Sequence, residues 1–370
     1  MDAGHAAIAS ATLTIDLDAM VTNYRLVAAR CAPATVAAVV KADGYGLGAA
    51  PVAAALAAEG CRHFFVAQLG EAIALKPVLP DDAALYVLNG LQPGAETECA
   101  AIGATPVLNA LHQVARWSAL AASLGRRLPG VLQVDSGMGR LGLPASEVST
   151  LRAEPDRLSG VDLTLIMSHL ACADDPAAAS NAAQHDAFIS LAEHFPGVPR
   201  SLDNSGGAFL ARPHFDLVRA GIALYGGAPQ IGAPNPMRAV VALEAPIIQV
   251  REIDAGCGVG YGLTALADHP RKVATIAIGY ADGWPRQLGN KGSAFIAGIR
   301  VPIVGRVSMD SITLDVTGLP EAAILPGAPV ELLGPHQTID DVAADAGTIS
   351  YEILTRLGHR YARTYVGAEA

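Results

Sequence analysis

Four lysines stand against twenty-one arginines in this chain, and one of them, Lys41, follows the apolar run VAAVV directly and leads into ADGYGLG. A lysine at the mouth of a buried strand is partly desolvated. That disfavours its ammonium form and makes the amine a usable Schiff-base nucleophile and proton shuttle. The plain alternative is a strand-end lysine that reaches solvent. The glycines that follow tilt the choice, because they let the backbone approach a ligand closely. Two further segments read as anion cradles, Asn204-Ser205-Gly206-Gly207 and Arg219-Ala220-Gly221-Ile222, since backbone N–H groups just after a strand can hold a phosphate. Each alone is compatible with an ordinary turn, and together they support one another. His169, closing LIMSH, and Tyr261, inside GVGYG, gain no role from spacing: a lone histidine is more often satisfied by backbone, and a lone tyrosine more often packs.

The elements that must carry these residues are visible as alternation. From about residue 35, short β-branched runs (TVAAVVK, HFFVAQ, ALYVLNG, TPVLN, GVLQVDSG, TLIMSHL, SLDNS, RAGIALYG) alternate with longer alanine- and leucine-rich segments at helical spacing. Those segments are long enough for the crossover that a parallel strand pair requires. Eight such units predict a parallel (β/α)8 TIM-like barrel over residues 1–236, with a doubly wound open sheet as the other architecture. No GxGxxG follows the first strand, which weighs against a dinucleotide site. In a barrel the strand ends share one mouth, and that mouth would gather Lys41, Tyr45, Arg140, His169, Asn204, Ser205 and Arg219, a set suited to an anionic, aldehyde-bearing ligand. After GGAPQIGAPNPMR the texture changes to strand runs joined by short turns, which predicts a mostly-β C-terminal domain over 237–370. The early run at 12–17, TLTIDL, is left over from the count of eight, and the sheet of the second domain is the place open to it.

Composition excludes other classes. A formal charge of -10 leaves no basic face for nucleic acid or an anionic membrane. The start lacks a cationic leader with a long apolar run, and no stretch is continuously apolar for about 20 residues, so a cytoplasmic protein is expected. Five widely spaced cysteines without a CxxC pair indicate neither a disulfide framework nor a metal site, and are expected to be buried small hydrophobes.

The ordered motifs VVKADGYGLGA, VDSGMGRLG, MSHLACADD, DNSGG, RAGIALYG, VGYG, IGYADGWPR, VGRVSMD and TISYEILTRLG, spread over residues 11–366, resemble the alanine racemase family. Those enzymes are barrels with a C-terminal β domain that use pyridoxal 5'-phosphate. The resemblance implies that Lys41 binds the cofactor covalently and moves a proton on one face of the substrate. It implies that Tyr261, from the partner subunit of a homodimer, serves the opposite face. Two bases on opposite faces are what racemisation needs, because a single base returns the proton mainly to the side it left. A tyrosine with an ordinary pKa of about 10 needs help to act near neutrality. His169 resembles the histidine that hydrogen-bonds it, and Arg219 the arginine that contacts both that histidine and the pyridine nitrogen. An arginine keeps its proton, so the ring becomes a weaker electron sink than one facing a carboxylate.

By the same matching, Tyr45, Ser205, the N–H groups of Gly221 and Ile222, and Tyr351 would hold the phosphate, with Asn204 beside them. Arg140 would lie near the phenolic oxygen and the substrate carboxylate. Met309, with Asp310 next to it, would bind that carboxylate from the partner subunit, and Tyr280 would gate the entry channel. One departure matters: the family often places a carbamylated lysine seven residues before this arginine, and here the position is Gln133. A neutral amide cannot supply the carbamate's charge, although its carbonyl can accept one hydrogen bond, so Gln133, or an anion or water near it, is expected to position Arg140. Ser308 stands where a cysteine is common, a packing-neutral change. The expected activity is interconversion of L- and D-alanine, which supplies peptidoglycan precursors in the family. The alternatives are a racemase of broader range or acting on serine, a pyridoxal-phosphate homeostasis protein, and a related decarboxylase. The homeostasis relatives consist of the barrel alone, and the RVSMD pattern with Tyr261 favours racemisation over decarboxylation.

Overall fold

A computed structural model describes residues 10–367. The run TLTID forms β1 (Thr12–Asp16), followed by α1 (Leu17–Cys31). Next come β2 (Thr35–Val39), β3 (His63–Val66), β4 (Ala84–Val87), β5 (Thr105–Leu108), β6 (Leu128–Gln133), β7 (Val161–Met167), β8 (Arg200–Ser201) and β9 (Leu217–Ala220). Between them lie α2 (Ala49–Ala58), α3 (Leu69–Leu75), α4 (Glu96–Ala101), α5 (Leu111–Ser123), α6 (Ala145–Ala153) and α7 (Ser180–Ala192). The chain divides into two compact units, one of residues 21–224 and 228–236, the other of residues 10–20, 225–227 and 237–367.

In the first unit β2 to β9 form one parallel sheet in the order β8-β7-β6-β5-β4-β3-β2-β9. Its strands are buried nearly throughout, as in β2 and β5, because a barrel strand faces side chains within and helices without. The helices meet it with apolar stripes: Val114, Trp117 and Ala121 of α5 recur at helical spacing and are buried. The ring is closed between β8 and β9 without a regular ladder. There Arg219 N–H donates to the Asp203 carbonyl at 2.9 Å and Ser201 Oγ to the Leu217 carbonyl at 2.6 Å. The consecutive strand order, with β9 beside β2 and these bonds bringing β8 to β9, gives a nearly closed eight-stranded barrel rather than an open doubly wound sheet.

In the second unit the strands β10 (Val241–Ile253), β13 (Arg271–Ile276), β14 (Ser293–Ile296), β15 (Ile299–Pro302), β16 (Ile312–Asp315), β17 (Pro329–Leu333) and β18 (Ala362–Val366) build a sheet with β1. A small hairpin pairs β11 (Gly258–Val259) with β12 (Ala265–Leu266). β1 pairs antiparallel to β10 and parallel to β18, and its alternating pattern buries Leu13 and Ile15 while its other face stays half-open. The long β10 serves three neighbours by shifting register near Leu243 and Ile247, where bulges bend it. IDDVAADA and SYEILTR form α8 (Ile339–Ala346) and α9 (Ser350–Arg356). All five cysteines are free; Cys31, Cys61 and Cys99 are buried as expected, whereas Cys172 is half-buried and Cys257 exposed.

Candidate active site

The loop after β2 carries an unusual backbone. Ala42, Asp43, Gly44, Tyr45 and Gly46 have φ of 53°, 53°, 61°, 56° and 84°, one turn of left-handed helix. Its bonds run Gly44 N–H to Val40 O at 2.9 Å, Gly46 N–H to Ala42 O at 2.8 Å and Gly48 N–H to Asp43 O at 2.8 Å. For a residue with a side chain this conformation costs roughly 1–2 kcal/mol, and three of the five have one. Asp43 offsets part of that by accepting from Ala49 N–H at 2.8 Å at the start of α2. The turn sets Lys41 at the strand end and brings Tyr45 across to Gly221, where a Cβ would overlap the Tyr45 hydroxyl. A side chain there would have to push the Tyr45 ring aside.

Around Lys41 the barrel gathers cations. Arg219, on β9 and almost fully buried, donates to Ser201 Oγ and to the Ser168 carbonyl, the latter at 2.7 Å, and reaches His169 Nδ1 at 3.2 Å. Burial pulls its guanidinium down to about 10, with Asp203 opposing, so it remains charged at neutrality. The His169 imidazolium is pushed down to about 3, first by burial and then by Arg219, Arg140 and Lys41. The ring is therefore neutral. Because arginine can only donate, Nδ1 must accept, which places the ring proton on Nε2. Lys41 is held below its usual range by burial and by Arg140 and Arg219, against the pull of Glu71.

The anion cradle lies at β8 and β9. Ser205 Oγ accepts from Gly221 N–H at 2.8 Å and Ala223 N–H at 3.3 Å, which leaves the serine hydroxyl proton to donate. The buried Ile222 N–H has no hydrogen bond among the described residues. Asn204 is committed to shaping this turn, donating to the Leu170 carbonyl at 3.3 Å and accepting from Gly207 N–H at 2.9 Å. An unspent buried donor, a hydroxyl and four cationic or basic side chains fit a phosphorylated aldehyde: Ser205 and Ile222 could receive its phosphate and Lys41 its aldehyde.

Arg140 is exposed and has no hydrogen bond or ion pair among the described residues. Its loop is shaped by Asp135, whose carboxylate accepts from the N–H groups of Gly137, Met138 and Gly139 at 2.9, 2.9 and 3.1 Å. Gln133 is buried and donates to the Leu141 carbonyl at 3.2 Å, one residue beyond Arg140. It acts on the loop's backbone and makes no hydrogen bond to the guanidinium.

In the second unit the remaining residues form their own cluster. Tyr261 tops the β11–β12 hairpin and is 70% exposed. Asn290 ties that hairpin to the GRVSMD segment, donating to Thr264 Oγ1 at 3.1 Å and accepting from Gly305 N–H at 2.6 Å. Tyr280 and Ala281 donate backbone N–H groups to the Ser308 and Met309 carbonyls, each at 3.0 Å. Arg360 clamps the pair of loops: it holds the buried Asp282 at 2.6 and 2.8 Å and Asp310 at 2.8 Å. Met309 is 53% exposed, and its N–H has no hydrogen bond among the described residues. Tyr351, on α9, and Tyr280 each expose about two fifths of their surface. Glu71, Asp135, Asn290 and Arg360 were not found from sequence. Of these Glu71 left a trace only as an acidic residue in the first turn of a helix, where one is common.

A nearly closed parallel barrel whose mouth joins a perturbed lysine, a neutral histidine, two arginines and an open anion cradle defines an enzyme class, one that fixes an anionic carbonyl group and moves protons. The chain belongs to the alanine racemase family: the model of that family's N-terminal domain matches residues 15–229 and that of its C-terminal domain residues 240–365. It is 54% identical to an alanine racemase of Brucella canis, over 97% of this chain and 94% of that protein. It is 53% identical to a catabolic alanine racemase of Agrobacterium fabrum, over 97% and 92% respectively. The fold superposes with a TM-score of 0.93 on the crystal structure of alanine racemase from Bartonella henselae with covalently bound pyridoxal phosphate, at 46% identity and covering 97% of this chain and all of that one.

Proposed function

We infer that the chain interconverts L- and D-alanine, with pyridoxal 5'-phosphate held on Lys41 and with a second copy of the chain completing each site. When bound, the cofactor supplies an aldehyde for the substrate amine and a ring that spreads the charge left at Cα when a proton departs. Lys41 Nζ removes or returns that proton on one face. The hydroxyl of Tyr261 from the second copy serves the other, with the Nε2–H of neutral His169 donating to its oxygen and so favouring the basic form. Arg219, fixed by four acceptors, keeps its proton and offers the ring nitrogen a donor rather than a base. Ser205 and the Ile222 N–H, with Tyr45, hold the phosphate, while Gly221 N–H orients the Ser205 hydroxyl and Asn204 shapes the turn that carries it. Arg140 and the Met309 N–H of the second copy, with Asp310, receive the substrate carboxylate, and Tyr280 lines its approach.

The observation that carries this reading is the neutral His169 pinned through Nδ1 by a buried arginine, which leaves its Nε2–H to donate to a group outside the barrel. The exposed Tyr261 and the open N–H of Met309 support completion by a homodimer. Net flux toward D-alanine for peptidoglycan or toward L-alanine for catabolism uses the same groups. No helix among the described residues is long and apolar enough to cross a membrane, which accords with a cytoplasmic enzyme. The test is borohydride reduction with peptide mapping, paired with exchange of the alanine Cα proton in deuterated water. A reduced cofactor on Lys41 and exchange from both enantiomers are expected. Cofactor on another lysine, or Lys41 labelled without interconversion, would overturn the assignment.

A further inference from the structure

Glu71, on the first turn of α3, spends its two carboxylate oxygens in different places. Oε2 accepts from Gln68 N–H at 3.0 Å and Ala67 N–H at 2.7 Å, the loop that leads from β3 into its own helix. Oε1 accepts from Ala42 N–H at 2.6 Å, across 29 residues of sequence. The N–H it captures belongs to the residue joined to Lys41, the first member of the left-handed turn at φ 53°. A helix cap needs only the first pair of bonds. The third reaches the strained backbone that presents the reactive amine.

We propose that Glu71 is a positioning residue for Lys41: its carboxylate pins the start of the left-handed turn to the neighbouring βα loop and thereby fixes where the amine stands. The carboxylate accepts from three donors, and it also faces an amine otherwise surrounded by Arg140, Arg219 and the neutral His169. An Ala42 whose N–H is released has a lower-energy conformation available in the ordinary right-handed region, and strain of this kind persists only where the surroundings enforce it. Position and charge are thus both set by one side chain that the phosphate cradle and the proton-transfer pair do not include.

The inference rests on the proposed chemistry at Lys41, and three variants of the full-length protein separate the roles. Glu71→Asp keeps the charge and a residue suited to the helix start, but is one methylene too short for Ala42. Glu71→Gln keeps the length, loses the charge and has one acceptor oxygen for donors on two sides. Glu71→Ala loses everything. In Glu71→Asp we expect Cα-proton exchange to fall by about 10- to 100-fold for the enantiomer that Lys41 serves, the loss typical of an ~1 Å misplacement, with KM little changed. The enantiomer that Tyr261→Phe slows should be spared. In Glu71→Gln the pH midpoint of the cofactor's visible absorbance should move down, because the one negative neighbour is gone, whereas Glu71→Asp should leave it near that of the parent. Equal slowing of both enantiomers, or loss of thermal stability alone with exchange and midpoint unchanged, would overturn the inference. Absence of any cofactor on Lys41 in the parent would instead remove the functional reading beneath it.

Discussion

The barrel mouth and the Tyr261 cluster are built on opposite plans. At the mouth each group is tuned by its own surroundings: Lys41 held low, His169 held neutral and Arg219 bound by four acceptors, all on or just after strands of a buried sheet. In the second unit the side chains are held in place without being enclosed. Asn290 and the Arg360 clamp fix the Tyr261, Tyr280 and Met309 segments. Yet Tyr261 and Met309 stay exposed, and no hydrogen bond reaches the Tyr261 hydroxyl among the described residues. Rigid but unfinished chemistry is what a surface shows when another molecule supplies the rest. On the proposed reading the barrel carries one base in place, and the second unit carries one that a second copy delivers.

Four changes sharpen that contrast. The largest effect is expected from Lys41→Ala, which removes both the covalent anchor and one base; interconversion should fall by about 10³- to 10⁴-fold or more, with no pyridoxyl peptide after reduction. Tyr261→Phe should cost about 10²- to 10³-fold in exchange from one enantiomer while cofactor binding and melting temperature stay those of the parent, since the side chain is exposed. A lowered melting temperature there would show that the tyrosine is structural. Arg360→Ala leaves the buried Asp282 without its cation, so the midpoint of thermal unfolding should drop and KM for alanine should rise on the order of 10-fold as the Met309 segment loosens. Gln133→Leu removes one bond to the Arg140 loop and should raise KM by about 3-fold. An unchanged KM would end any positioning role for that amide.

His169 adds a pH dependence. Its folded value, about 3, lies below the ordinary histidine value near 6.5, so the unfolded chain binds more protons between those limits. Stability is therefore full above about pH 6.5 and is lost as the pH falls toward 3. In His169→Gln the slope of unfolding free energy against pH over that window should be shallower, which denaturant titrations at several pH values would measure.

Much of the barrel was legible because a parallel strand buried on both faces leaves a short apolar run, and a residue at the end of such a run points at the mouth. Lys41, Arg140, His169 and Arg219 could be read from that rule together with family motifs. The left-handed turn could not. Ala42 carries no sign of positive φ, and its N–H is held by Glu71, a contact between residues 29 apart. Arg360 was hidden for a similar reason. Its partners Asp282 and Asp310 lie at separations of 78 and 50 residues, and a charge in an exposed turn reads from sequence as solvated. Asn204 was legible as a cradle residue, whereas its amide being committed to the turn needed coordinates.

Delivery of the second base from another chain can be tested by complementation. Lys41→Ala and Tyr261→Phe proteins, each nearly inactive, are mixed, allowed to exchange subunits and assayed for conversion of L-alanine to D-alanine. If each site draws Lys41 from one copy and Tyr261 from the other, every mixed dimer regains one intact site, and an equal mixture should recover about one quarter of the parent's specific activity. If both bases come from the same copy, no mixed dimer contains an intact pair, and activity that stays at the level of the separate variants after verified subunit exchange would contradict the shared site.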